Sequence, residues 1–413
     1  MLVTDIISII LLSVLLFWTA YNGSIIYLGA RKKQKIAFAK PENEQHPTYT
    51  LIVPTKNEEV VIGRCLHGLL NINYPRDKMQ IIVVDGNSTD STLKICEEYA
   101  KNYPQTFKII SEKESKGKPA ALNLALPYAT GEIVGVFDAD SIPEKEVLKK
   151  VSTYFCENQV MAVQGRTVSL NEKDNILTRI ISMEERAWFQ AQLTGRDRLQ
   201  LFVPLNGSCQ FVRSKILNEL SGWDENSLTE DVELALRLVE KKHLIRFAAD
   251  VTSSQETPNG LQDLVKQRVR WYRGYMETSL KYGRLLNTFN KRTLDAEVSL
   301  AGPFMMVISL VSYINWFFVS LFISESNPII EFTGVIIALT AVSLVTIGSA
   351  LTISEKPMKL RNLLWIPAVY VYWLIQMCIA GWAFFKLVFK RRRVWSKTAK
   401  KGSITHNLDT LAI

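Results

Sequence analysis

Two carboxylates stand one residue apart in Phe137-Asp138-Ala139-Asp140, directly after the apolar run Val134-Gly135-Val136 and shortly before Pro143. An apolar strand that ends in acids and then breaks at proline places them where an α/β sheet keeps its ligands. Side chains at i and i+2 of an extended segment point to the same side. Asp138 and Asp140 can therefore share one divalent cation, or one can hold a ribose while the other holds the metal. An all-oxygen set suits magnesium or manganese rather than zinc. Taken alone, the same residues are also an acidic turn at a strand end, and the rest of the chain has to decide.

Another acid, Asp85, closes the apolar run Ile81-Ile82-Val83-Val84, and Glu230-Asp231 follows Thr229 just before a helical stretch over 232–239. Such an acid pair can serve chemistry or structure. The plainer reading is that Thr229 caps the helix and the acids favour its positive end; both readings can hold at once. Gln267, Arg270 and Trp271 lie in a basic, aromatic-rich amphipathic stretch over 261–280, which by itself reads as a helix lying on lipid headgroups.

The elements that must position these groups alternate. Apolar strands over 50–54, 81–85, 107–110 and 134–138 are separated by helical stretches up to Leu70, over 92–99 and over 120–129. Strands alternating with helices predict an α/β fold with a mostly parallel sheet covered on both faces, and bring Asp85 and the Asp138/Asp140 pair to equivalent strand ends. No Gly-x-Gly-x-x-Gly and no Gly-x4-Gly-Lys-Ser/Thr follows these strands. A dinucleotide fold and a P-loop ATPase are therefore unsupported, and a diphosphate would need a metal on the paired aspartates as counter-charge.

The chain has 413 residues, 47% of them hydrophobic, and a formal net charge of +9. Residues 2–28 carry one charge, Asp5, and are followed by Arg31-Lys32-Lys33-Gln34-Lys35. That pattern predicts a retained membrane anchor with the amino terminus outside. Three more apolar stretches, 300–323, 329–353 and 363–388, are each long enough to span a bilayer. Much of the positive charge sits beside these stretches, which favours lipid headgroups over nucleic acid as the partner. Cys65, Cys96, Cys156, Cys209 and Cys378 show no metal-ligand spacing and fit a reducing cytoplasm. Four full crossings would leave Lys390-Arg391-Arg392-Arg393 outside, against the positive-inside trend, so one stretch is expected not to cross or to be re-entrant. No membrane stretch carries a central charge, which speaks against a transporter with a cytosolic nucleotide-binding domain.

Taken in order, Val53-Pro54-Thr55-Lys56-Asn57-Glu58, Val84-Asp85-Gly86-Asn87-Ser88-Thr89-Asp90, Lys116-Gly117-Lys118-Pro119-Ala120-Ala121-Leu122-Asn123 and Phe137-Asp138-Ala139-Asp140 resemble the nucleotide-sugar half of a glycosyltransferase family 2 enzyme with the GT-A fold. Gly207-Ser208, Gly222-Trp223-Asp224, Thr229-Glu230-Asp231 and Gln267-Arg268-Val269-Arg270-Trp271 resemble the acceptor half of its membrane branch, which includes cellulose, hyaluronan and poly-N-acetylglucosamine synthases. The resemblance covers residues 50–274. It implies that Pro54, Thr55, Glu58 and Asp85 contact the nucleoside and that Lys118 lies near its base or phosphates. Asp138 and Asp140 would hold the diphosphate through magnesium or manganese. Asp231, with Glu230 beside it, would be the general base. Trp271 would stack on the acceptor sugar, with Gln267 and Arg270 touching the acceptor or the leaving diphosphate. The implied partners are a UDP- or GDP-sugar, a membrane-held lipid or lipid-linked saccharide acceptor, and the bilayer; a processive polysaccharide synthase is the alternative. The expected division is an anchor over 1–30, a linker over 31–47, a catalytic domain over 48–257 and an amphipathic region over 258–297. Membrane segments over 298–389 and a basic tail over 390–413, with a Trp395-x-Lys397-Thr398 sequence seen in relatives, complete it.

Overall fold

The structure is a computed structural model and describes residues 2–30, 46–283, 290–322, 334, 341, 364–391 and 400–402. The expected linker, the apolar stretch 329–353 and the basic tail with Trp395-x-Lys397-Thr398 lie wholly or largely outside those residues.

Eight strands form one sheet: β1 (Tyr49–Thr55), β2 (Met79–Asp85), β3 (Phe107–Ser111), β4 (Ile133–Val136), β5 (Ile142–Pro143), β6 (Val160–Ser169), β7 (Gln210–Arg213) and β8 (Leu244–Gln255), in the order β3-β2-β1-β4-β7-β6-β8-β5. The apolar runs of β1, β2 and β4 are buried on both faces, as continuous Val/Ile strands must be. Alternate residues feed two cores. Ile52, Ile82, Val84 and Val134 enter one, and Leu51, Val53, Ile81 and Val83 enter the other.

β3, β2, β1 and β4 run parallel as expected. The sheet as a whole is mostly parallel, as expected, with two strands, β7 and β5, reversed. β7 lies antiparallel between β4 and β6, and β5 pairs antiparallel with β8, while β6 and β8 are parallel. Apolar periodicity reports burial and not strand direction, so the reversal at β7 leaves no mark in the sequence pattern.

The helices are α1 (Leu2–Ala30), α2 (Ile62–Leu70), α3 (Thr92–Asn102), α4 (Lys118–Ala125), α5 (Val147–Tyr154), α6 (Ile176–Ala187), α7 (Thr194–Arg198), α8 (Ser214–Glu219), α9 (Glu230–Glu240), α10 (Leu261–Tyr282), α11 (Lys291–Leu300), α12 (Gly302–Phe322) and α13 (Ile366–Val388). Among the described residues, α13 is long and apolar enough to cross a membrane by itself, and α11 with the first part of α12 reaches that standard only as a pair bent by 42°. Val265, Val269 and Tyr272 of α10 pack on Ile375, Ile379, Ala380 and Ala383 of α13, where the Tyr272 hydroxyl donates to Gln376 Oε1 at 2.8 Å.

α1 is docked on α7 and the residues just before it. A Cβ on Gly29 would lie 1.7 Å from the Ala191 carbonyl oxygen, and one on Gly195 would lie 2.2 Å from the Ile25 carbonyl oxygen, so the two backbones touch. Around that contact Gln192 Nε2 donates to Asn22 Oδ1 at 2.9 Å and Arg198 donates to the Leu28 carbonyl at 2.7 Å. Buried Asp295 of α11 accepts from Tyr21 of α1, from Arg196 of α7 and from the Phe202 N–H, joining three elements through one carboxylate.

Candidate active site

Each acidic group sits at the end of an element whose burial fixes it. β4 is buried along its whole length and delivers Asp138 and Asp140 two residues apart beyond its carboxyl end. The Asp138 N–H donates to Ser208 Oγ at 3.2 Å, and Ser141 Oγ and Ser208 Oγ share a hydrogen bond at 2.8 Å, so the loop after α7 buttresses the turn. α4 begins at Lys118, after Gly117 with φ of +101°, and sends its ammonium to Asp138 Oδ1 at 2.5 Å and to the Gly207 carbonyl at 2.8 Å. Burial alone would pull this ammonium down, but Asp138, Glu230 and Asp231 hold it above its ordinary value.

Gly207 is the wedge between the two halves. Its φ is +76°, and a Cβ there would meet Asp231 Oδ2 at 3.0 Å and Lys118 Nζ at 3.2 Å. Asp231 therefore lies across one backbone residue from the lysine that grips Asp138. Burial first, and the Glu230 carboxylate second, push the Asp231 carboxyl up to about 7 against the pull of Lys118 and Arg270. A carboxylate in that range is matched to accept a hydroxyl proton near neutral pH.

Thr229 does not cap α9 with its side chain. Its Oγ1 sits 3.5 Å from Thr278 Oγ1 of α10, and the Asp231 carboxylate takes the Val232 N–H at 2.9 Å. The expected Thr cap is thus replaced by a helix contact. Gly274 of α10 makes that contact possible, because a Cβ there would lie 2.5 Å from Thr229 Cγ2. Two turns later Tyr282 donates to buried Glu233 of α9, so α10 is fastened to the helix that carries Asp231.

At the carboxyl ends of β1 and β2, Thr55 and Asp85 are register partners. Asp85 is buried, and its carboxylate accepts from the Ser88 N–H at 3.0 Å and the Ser88 hydroxyl at 2.5 Å. Thr55 Oγ1 is buried without a hydrogen-bond partner. Glu58, just past β1, donates its N–H to Thr92 Oγ1 at 2.7 Å, and Pro54 precedes the turn, half-buried. Gln267, Arg270 and Trp271 are half-buried on α10, and Arg270 is close enough to Asp231 to lower its pKa.

Three contributors escape a sequence reading. Arg268 stacks over the Trp271 ring at 4.5 Å and donates to Glu184 of α6 at 2.5 Å, and the same Glu184 oxygen accepts from Tyr372 of α13 at 2.7 Å. Glu185, held by Ser169 Oγ at 2.5 Å, is pushed up to about 7 by burial. Lys400 reaches Asp140 Oδ2 at 2.6 Å from the far end of the chain. A lysine in that tail was visible as charge alone.

The two aspartates fit a divalent cation. They present oxygen donors, and each is already matched by an ammonium, Lys118 on Asp138 and Lys400 on Asp140, which shows where positive charge is wanted. Among the described residues no group of three or more His, Cys, Asp or Glu side chains converges, so the remaining coordination would come from diphosphate oxygens and water.

A family model described as "Glycosyltransferase like family 2" matches residues 46–274. A probable glycosyltransferase of Bacillus subtilis, YdaM, is 32% identical over 239 residues, 57% of each chain. The β-monoglucosyldiacylglycerol synthase of a Nostoc strain is 34% identical over 279 residues, 64% of this chain and 59% of the relative. The chain thus spans just under three fifths of the length of these curated relatives. Poly-β-1,6-N-acetyl-D-glucosamine synthase of Staphylococcus epidermidis is 22% identical over 94% of this chain and 96% of its own. Among solved structures, a mannosyltransferase of Pyrobaculum calidifontis in complex with GDP-Man and Mn2+ superposes with a TM-score of 0.68, at 22% identity, over 94% of this chain and 100% of its own. That likeness establishes the GT-A type of fold.

Proposed function

The chain belongs to the family 2 glycosyltransferases, and from that premise we propose that it moves a hexose or N-acetylhexosamine from a UDP- or GDP-sugar to a glycolipid or lipid-linked saccharide acceptor at a membrane, with inversion at the anomeric carbon. The observation that carries this reading is the convergence on Gly207: Lys118 bound to Asp138 on one side and Asp231, its carboxyl raised to about 7, on the other.

In this reading β1 and β2 offer Thr55, Glu58 and Asp85 to the nucleoside, and Asp138 and Asp140 would hold a magnesium or manganese ion. When bound, that ion supplies the charge that binds the diphosphate and stabilises it as leaving group. Lys118 adds a fixed positive charge at the same place. Asp231 takes the proton of the acceptor hydroxyl as its oxygen attacks the anomeric carbon from the face opposite the diphosphate. Trp271 offers a ring face to the acceptor sugar, and Arg268, stacked on that ring, holds its plane through Glu184.

A lipid-held acceptor is favoured because α10, which carries Trp271, is packed on the apolar α13, and because a diacylglycerol glucosyltransferase is among the relatives. α1 and α13 are read as membrane helices, and residues 48–257 as the catalytic domain on the cytoplasmic side. The second reading, a processive polysaccharide synthase, is supported by the full-length match to the poly-N-acetylglucosamine synthase. Incubating purified membranes with radiolabelled UDP- and GDP-sugars and extracting with organic solvent separates the two. Label in the organic phase supports a glycolipid product, and label in high-mass aqueous material supports polymerisation. No transfer from any donor, under conditions where the protein is folded, overturns both.

A further inference from the structure

Residues 400–402 enter the donor side of the site and are bound there by a buried clamp. Lys400 Nζ is 2.6 Å from Asp140 Oδ2 and donates to the Glu256 carbonyl at 2.7 Å. The Lys401 and Gly402 N–H groups both donate to Glu256 Oε2, at 3.0 and 3.4 Å. The other Glu256 oxygen takes Arg64 Nη1 at 2.8 Å, with side-chain exposures of 1% for Arg64 and 3% for Glu256. The Glu256 N–H in turn donates to Asp140 Oδ2 at 3.0 Å. Gly402 is buried and has φ of +62°, a conformation that suits glycine and lets the chain turn over the carboxylate.

Glu256 is thus divided between two tasks, one oxygen for the fold and one for two successive backbone amides of the tail. A carboxylate this buried carries a large penalty if one oxygen lacks donors, so the clamp is built to receive the tail. Its effect is to set a lysine ammonium on the same Asp140 that would share a divalent cation with Asp138. Ammonium and cation compete for one carboxylate oxygen, and their like charges repel at that distance.

We propose that residues 400–402 are a plug that closes the unloaded site, with Lys400 standing in for the divalent cation on Asp140 and leaving when the cation binds. The plug keeps the paired carboxylates neutralised between turnovers and makes cation entry depend on release of the chain's own tail. This rests on the reading of Asp138 and Asp140 as the cation pair.

The test is Mn2+ titration of the full chain in lipid nanodiscs, without nucleotide, following free Mn2+ by electron paramagnetic resonance. Asp140→Asn should lose the binding seen in the wild type. If Asp140→Asn binds as the wild type does, the pair is not the cation site, and the plug falls with that reading. Lys400→Met should bind Mn2+ more tightly, by about tenfold if the plug is seated in nine molecules of ten. Lys400→Arg, which keeps the charge, should stay near the wild type. Unchanged, weaker or undetectable Mn2+ binding by Lys400→Met, with Asp140→Asn defective, overturns the plug while leaving the cation pair in place.

Discussion

The Arg268 guanidinium lies 4.5 Å from the centroid of the Trp271 ring, three residues along the same helix, and its far end is bonded to Glu184. One face of the proposed acceptor platform is therefore already occupied by the protein. Arg268→Met keeps apolar cover on the ring but leaves half-buried Glu184 to the Tyr372 hydroxyl. It should lower stability by about 1–3 kcal/mol, as loss of a hydrogen-bond donor from a partly buried charged group does. Arg268→Lys should keep the charge and lose the flat stack, raising the acceptor KM while donor affinity stays within twofold. Thermal unfolding and separate donor and acceptor titrations check the two variants.

Asp138→Asn and Asp140→Asn should each abolish transfer and weaken metal-dependent nucleotide binding, because the diphosphate would lose its counter-charge. Excess EDTA should do the same to the wild type. Full activity in EDTA would remove the metal from the scheme.

Asp231→Asn should behave differently. The amide keeps the size of the carboxylate and can still accept the Val232 N–H, but it cannot take a hydroxyl proton. Donor affinity should stay within a few-fold while turnover falls by roughly 10²- to 10⁴-fold. A raised carboxyl pKa means that the active, deprotonated form is lost as pH falls. Wild-type kcat should therefore climb with pH up to about 7 and level off above it. In Asp231→Asn that limb should vanish, which also separates it from Glu185, whose carboxyl lies in the same range. Rates measured between pH 5 and 9 for both proteins decide it.

Gly274→Ala should force α10 away from α9, since the added methyl would sit 2.5 Å from Thr229 Cγ2. Overpacking of this kind costs about 1–3 kcal/mol. Turnover should drop with it, because the displaced helix carries Arg270 and Trp271. Thr229→Ala in the same chain removes the offending atoms and should restore part of both stability and rate. Failure of that rescue would mean that the glycine serves another contact.

Sidedness is best read at Cys156, which is exposed, and not at Cys65 or Cys209, which are buried and would resist a thiol reagent on either side of the membrane. With Cys378 replaced by serine, an impermeant maleimide should leave intact cells unlabelled and label Cys156 after permeabilisation. Labelling of intact cells would place the catalytic half outside.

What could be seen in the sequence was local. The Val/Ile runs of β1, β2 and β4, and the acids at the ends of β2 and β4, are legible because burial on both faces demands continuous apolar strands and an acid that interrupts such a run marks its end. Thr229 illustrates the limit. Its position before a helix predicts a cap, yet a partner on α10, 49 residues away, takes its hydroxyl. Arg268 with Glu184, Lys400 with Asp140, and the reversed β7 are of the same kind. Each depends on which distant segment arrives, and periodicity or capping rules carry no information about that. Gly29 and Gly195 are the extreme case, since a residue without a side chain announces nothing until two backbones meet across it.

Those two glycines also set a ruler. With α1 in backbone contact with α7 and the residues leading into it, the first helix is packed directly on the unit that carries the sheet. An enzyme hung from a flexible stalk samples sugars at many heights above a membrane. With α1 read as a membrane helix and Asp231 as the base, as proposed above, that contact would hold Asp231 at a single altitude, and an acceptor would be chosen partly by stature: its nucleophilic hydroxyl would have to rise to that level and no further. Lengthening or shortening a lipid's headgroup by one sugar would then switch it in or out of range without altering any contact in the site.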